Sequence, residues 1–222
     1  MNKILELKNV TVKNKKFKLE NINFALEKGY VYGLVGENGA GKSTLLKSIY
    51  FENWPYKGDV LFSGFDIKKN RRSAMDKIGY ISEDFSFIDD RSMAENARLF
   101  SMAYSDFDKE IWEEMTKKLG INLNTNYMDY SRGEKIKAQL AFAFAHKAEL
   151  LIMDEASAGL DAVFKKEMYD LIREGLVDSL TVLLTSHDYE EIKRNTDFFA
   201  VIKDGVLGEF KENIEEAADE YL

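Results

Sequence analysis

Apolar and charged residues alternate along the first stretch, MNKILELKNVTV. Leu5 and Leu7 sit between Glu6 and Lys8, the two-residue period of a strand with one wet face. Val10 and Val12 carry the alternation on with its parity shifted by one, which predicts a β-bulge near Asn9. A second run, FKLENINFALEKG, alternates Phe17 and Leu19, then Ile22, Phe24 and Leu26, until Gly29 breaks it. Both runs predict antiparallel strands. YVYGLV, residues 30–35, is apolar on both parities and runs into a glycine-rich turn. That is the pattern of a buried central strand feeding a helix, here from Lys42 to about Phe51.

Beyond it the pattern predicts a turn around Pro55 and Gly58, a strand DVLFSG, and a short apolar strand IGYIS at 78–82. From about 84 to 148 the period becomes helical and charge-laced. LLIMDEA (150–156) is a second buried strand, 162–175 a helix, LTVLLTS (180–186) a third buried strand and 188–195 a short helix. DFFAVIKDGVLGEF (197–210) predicts a hairpin turning at Asp204-Gly205, and 211–222 a short acidic helix. Strands alternating with helices give an α/β core with an antiparallel β portion and an inserted helical segment.

Composition narrows the function classes. The 222 residues carry a formal charge of −8, so a nucleic-acid partner is not expected, because phosphate backbones call for a basic face. The chain has no cysteine, which excludes disulfides and thiolate metal sites and permits a reducing cytoplasm. The N-terminal stretch lacks the apolar core of a signal peptide, and no run approaches the roughly 20 apolar residues that span a bilayer. Work at a membrane would need a span supplied by another polypeptide.

GENGAGKST, from Gly36 to Thr44, fits Gly-x-x-x-x-Gly-Lys-Ser between an apolar strand and a helix. Glycines let the backbone curl until its N–H groups converge on an anion, and the helix adds its positive end. Lys42 can reach the β- and γ-phosphates of a nucleotide, and Ser43 can ligate Mg²⁺. The plain alternative is a glycine-rich turn that only caps a helix. Asp154 and Glu155 end the strand LLIMDE, where ligands gather in open α/β sheets. There Asp154 would hold Mg²⁺ and Glu155 would take a proton from an attacking water. Two solvated acids at a strand end are the commoner arrangement, so the phosphate loop carries the argument. His187 ends a third apolar strand and can hydrogen-bond a γ-phosphate or position the water. His146, late in a helix, reads as structural or as stabilising the helix dipole.

Ser131 and Glu134, in YSRGE, form a capping box at a helix start. The box is expected to leave the Ser131 hydroxyl hydrogen free to face a phosphate, with Arg132 offsetting the charge of Glu134.

In this order the motifs resemble the ATP-binding cassette of ABC transporters over nearly the whole chain. GENGAGKST looks like the Walker A loop, LLIMDE the Walker B strand, ASAGLD the D-loop closed by Asp161, and SHD the switch histidine. YSRGE stands where the family has its signature, Leu-Ser-Gly-Gly-Gln. The resemblance implies one domain over 1–222: a P-loop NTPase core, an antiparallel β subdomain and a helical subdomain at about 84–148. It implies ATP held by Gly36, Glu37, Asn38, Gly39, Ala40, Gly41, Lys42, Ser43 and Thr44, with Glu155, His187 and Lys42 catalytic. It also implies a second cassette, a copy of this chain or a different one, with Ser131 and Gly133 of this chain contacting the ATP held by that partner. A separate transmembrane permease would be driven by closure and reopening, placing the chain on the cytoplasmic face of the membrane.

Three regions depart from the family pattern. Glu83, in GYISED, stands where the Q-loop has Gln, and is either a further Mg²⁺ ligand or an exposed loop acid. Phe17 is the nearest candidate to stack on adenine, though its alternation with Leu19 equally suits a core residue. Tyr130, Arg132 and Glu134 replace Leu, Gly and Gln in the signature, a form similar to cassettes paired with separate permeases, often exporters. Phe85, Phe87, Ile88 and Asp89 would dock a permease helix or fold into their own core. A free-standing cassette that moves no substrate is the main alternative. Residues 84–148 are too few for the coiled coil of chromosome-maintenance members, and a GTPase would want an Asn-Lys-x-Asp motif that the chain lacks.

Overall fold

The structure, a computed structural model, describes residues 3–13, 18–177 and 180–213. Strands β1 (Lys3–Lys13) and β2 (Lys18–Glu27) pair antiparallel and join β4 (Tyr56–Phe62) and β5 (Phe65–Asp66) in a sheet ordered β2-β1-β4-β5. The predicted bulge is present: register slips between Leu7 and Val10, and Asn9 takes a left-handed φ of 52°. That one extra residue keeps Leu5, Leu7, Val10 and Val12 all buried on one face.

The second sheet is ordered β10-β9-β3-β8-β7-β6. Its parallel core comprises β3 (Val31–Val35), β6 (Ile78–Ser82), β7 (Leu150–Asp154), β8 (Thr181–Ser186) and β9 (Phe198–Lys203). Strand β10 (Val206–Leu207) folds back on β9 through the Asp204-Gly205 turn. Both faces of this sheet are covered. Along β7, Leu150 and Ile152 enter the core shared with the antiparallel sheet and helix α1 (Lys42–Tyr50), while Leu151 and Met153 enter the other. This two-sided burial is why the strand is apolar without a break.

After α1 come the short α2 (Arg71–Met75), then α3 (Met93–Ser101), α4 (Lys109–Lys118) and α5 (Arg132–Ala145) in the helical segment. Helices α6 (Ala162–Val177) and α7 (Tyr189–Asn195) follow. Phe87 is buried against Phe100, Tyr127 and Phe142, so it belongs to the core of the helical segment, whereas Ile88 is exposed. Tyr32 stacks on Phe198 and packs as the sequence implies.

The acidic helix expected from 211 does not begin there. Lys211–Glu212 forms strand β11 against β9, and Asn213 holds the chain by donating to the carbonyls of Asp197, Lys193 and Thr196. Backbone pairing at the sheet edge prevails there over the local helical pattern; residues 214–222 lie outside the described part.

His146 ends α5, buried, with Nδ1 donating to the Phe142 carbonyl at 2.9 Å and the ring stacked on Tyr104. Burial pushes its pKa down to about 4, so it is neutral at pH 7 and offers no charge to the helix dipole. Of the two roles expected for it, the structural one holds. A buried neutral histidine stabilises the fold above the unfolded pKa of about 6.5, and that stability is lost progressively as the pH falls from 6.5 to about 4. Urea unfolding from pH 7 to 4 should therefore lose about 2–4 kcal/mol more in the native chain than in His146→Phe.

Candidate nucleotide site

Sheet register places the candidate groups. Val35 lies opposite Ser186, and Ser82, Asp154 and Thr185 lie abreast across β6, β7 and β8. The four strands thus end within one residue of a common level, and the residues that follow them emerge at one end of the sheet: Gly36, Glu83, Glu155 and His187.

The loop from Gly36 to Gly41 is shaped by close backbone approach. A Cβ on Gly36 would lie 2.3 Å from the Ile202 carbonyl oxygen of β9, so only glycine fits. Gly39 and Gly41 take φ of 87° and 110°, and α1 starts at Lys42 with no side-chain cap. The first N–H groups of α1 are left for an anion. Lys42 is only 3% exposed. Its ammonium donates to the carbonyls of Gly36 at 2.6 Å and Glu37 at 3.2 Å, and pairs with Glu155 Oε1 at 3.2 Å.

Glu155 sits at the centre. Besides Lys42, its carboxylate lies 3.5 Å from His187 Nδ1. Its backbone is left-handed, φ 47°, a conformation that costs a non-glycine residue energy and needs outside support. That support includes its N–H donating to Thr185 Oγ1 at 3.0 Å, and its carbonyl accepting from Ala158 N–H at 3.2 Å and Arg132 Nη2 at 3.3 Å.

Asp154 Oδ1 accepts from the hydroxyls of Ser43 and Thr185, each at 2.9 Å, and Oδ2 from Tyr80 at 3.4 Å. Burial raises its carboxyl, opposed by those hydroxyl bonds. Ser43 and Asp154 are hard oxygen donors side by side at the phosphate loop, which fits Mg²⁺ shared with phosphates and waters. They do not make an all-protein cage, and no group of three or more acids, histidines or cysteines clusters for a metal among the described residues.

The sequence-expected residues divide. Lys42, Ser43, Asp154, Glu155 and His187 come together. Glu83 is exposed and pairs with Arg132 Nη1 at 3.2 Å, while Phe17 lies outside the described residues. The capping box at Ser131 is present, yet the Ser131 hydroxyl is not free: it donates to Glu134 Oε2 at 2.6 Å. Glu134, held in its charged form chiefly by Ser131, is the strongest acceptor in reach. Nor does Arg132 offset Glu134, since its partners are Glu83 and Glu155. Asp161 caps α6 by accepting from the N–H groups of Val163 and Phe164.

Sequence reasoning passed over Thr185, which joins Asp154 to Glu155, and it misplaced Arg132. The threonine's position beside Ser186 at a strand end was the available signal. Thr185→Val keeps the shape but strands the Glu155 N–H and removes a donor from Asp154. Denaturant unfolding should show it about 1–3 kcal/mol less stable.

With this geometry in view, the likeness to known proteins is specific. The family described as ABC transporter matches residues 19–158. A methionine import ATP-binding protein of Oenococcus oeni is 32% identical over 92% of this chain, which spans 63% of that relative's length. The ABC transporter ATP-binding protein YtrB of Bacillus subtilis is 28% identical over 92% of this chain and 70% of its own. Among solved structures, an ATP-binding subunit of an ABC transporter superposes with a TM-score of 0.84 at 24% identity, covering 94% of this chain and 90% of its own. A dimeric ATP-binding cassette bound to ADP and phosphate gives 0.81 at 22%, covering 95% and 99%. The chain belongs to the ABC transporter family, as one of its ATP-binding cassettes.

Proposed function

We propose that this chain binds and hydrolyses ATP as one cassette, residues 1–222, of a head-to-tail pair, and drives a separate transmembrane permease from the cytoplasmic face. One observation carries the reading: the phosphate loop, Asp154, Glu155 and His187 meet at one end of the sheet, with Glu155 shared between Lys42 and His187. The helical subdomain, about 84–148, presents Ser131 and Gly133 to the partner's nucleotide.

Each residue has a task. The N–H groups of 36–44 receive the phosphates, and Lys42 binds the β- and γ-oxygens. Ser43 and Asp154 would hold Mg²⁺, which would supply positive charge to offset that of the phosphates. A phosphate at Lys42 competes with Glu155 for the ammonium. The released carboxylate can then accept a proton from the attacking water, while His187 orients that water or the γ-phosphate. Relatives named for methionine import stand beside one named as a probable multidrug transporter, so likeness supports the engine without selecting a cargo.

Two substitutions test this. Lys42→Ala should lower ATP hydrolysis by at least about 100-fold, because it removes a charge that binds the transferring phosphoryl group. Glu155→Gln should still bind Mg-ATP but turn over about 100-fold or more slowly, and should elute as a dimer from size exclusion only with ATP. Full turnover in either variant would contradict the assignment.

A further inference from the structure

Arg132 is the residue that the family pattern least explains, since it fills a signature position where glycine is usual. Two segments distant in sequence converge on it. Nη1 pairs with Glu83 Oε2 at 3.2 Å, and Nη2 donates to the Glu155 carbonyl at 3.3 Å. A Cβ on Gly159, in the turn after Glu155, would sit 3.7 Å from Nη1. Nε is buried and has no hydrogen-bond partner among the described residues, while the side chain as a whole is 36% exposed.

The loop carrying Glu83 is anchored on both sides. The buried Gln139 of α5 accepts from Ser82 N–H at 2.9 Å and donates to the carbonyls of Ser82 and Phe85, each at 3.1 Å. Lys47 of α1 pairs with Asp84. Glu83 is therefore held where it meets α5, and its charge meets Arg132 at the first turn of that helix. An ion pair this exposed adds little to global stability, so its role is better sought in local geometry.

We propose that Glu83 and Arg132 act as a matched exchange for the usual Gln and Gly, with Arg132 a positioning residue for Glu155. Glu83 aims the guanidinium, and the guanidinium bonds the Glu155 carbonyl, helping to hold the left-handed turn from which the carboxylate projects. Glu83 is then the counter-ion of Arg132 and not a ligand of Mg²⁺. The consequence for turnover rests on the ATPase reading above; the consequence for the turn does not.

The test is a double-mutant cycle on the full chain with two readouts. For ATP hydrolysis, Arg132→Ala should lower kcat about 10-fold, the scale of a slightly misplaced catalytic group, with KM for ATP within about 2-fold. Glu83→Gln should cost about 3-fold, and the double variant should be no worse than Arg132→Ala alone, because the two act through one bond. Arg132→Lys should recover little, since an ammonium cannot span both acceptors as a planar fork does. The Mg²⁺ concentration for half-maximal rate should stay within about 2-fold in Glu83→Gln. Independently of turnover, amides 155–160 should exchange hydrogen at least about 5-fold faster in Arg132→Ala, with amides of β7 unchanged. Losses that multiply, a Mg²⁺ requirement raised about 5-fold or more in Glu83→Gln, or unchanged exchange at 155–160 would each overturn the proposal. A native chain that hydrolyses no ATP would overturn the ATPase reading alone, and hydrogen exchange would still decide the role of Arg132.

Discussion

The parallel register between β3, β8, β7 and β6 is the constraint on which the site depends. It sets Val35 opposite Ser186 and Asp154 opposite both Ser82 and Thr185, so four chain segments leave the sheet within one residue of a common level. A slip of one residue would turn each inward side chain to the other face. Because these strands are buried on both faces, the hydrophobic pattern alone does not choose their register, and the flanking turns and specific polar contacts must. Thr185 makes the register chemical, with one hydroxyl donating to Asp154 and accepting from Glu155.

Much of this was legible in the sequence, for physical reasons that differ by element. Buried parallel strands announce themselves as short apolar runs, and the phosphate loop as glycines at fixed offsets from Lys42. The bulge at Asn9 could be read because a strand's period of two makes any parity change visible. What escaped was set by tertiary partners. Lys211 and Glu212 follow the sheet edge and not their helical pattern. The Ser131 hydroxyl turns to Glu134, although a capping box requires only that it accept. Arg132 bypasses Glu134, two residues along, for Glu83, which is 49 positions away in sequence and adjacent only once β6 and α5 have packed. Such partners have no local signature.

The departures from the family signature also look different once folded. Tyr130 is buried and donates its hydroxyl to the Asn122 carbonyl at 2.7 Å, so it fills the apolar position of the usual Leu and satisfies its own polar end. Glu134 completes the cap. With Ser131 engaged by Glu134, contact with a phosphate in trans requires the hydroxyl to exchange one anionic acceptor for another. That exchange conserves the number of hydrogen bonds and is favoured by the positive end of α5.

The central proposal is that the nucleotide joins two cassettes, Lys42 of one facing the signature serine, Ser131 in this chain, of the other. The most direct measurement is an experimental structure of Glu155→Gln with Mg-ATP. The account predicts a head-to-tail pair in which each γ-phosphate lies between Lys42 of one copy and Ser131 and Gly133 of the second. ATP held on Lys42 in a single copy, with Ser131 facing solvent, would contradict it.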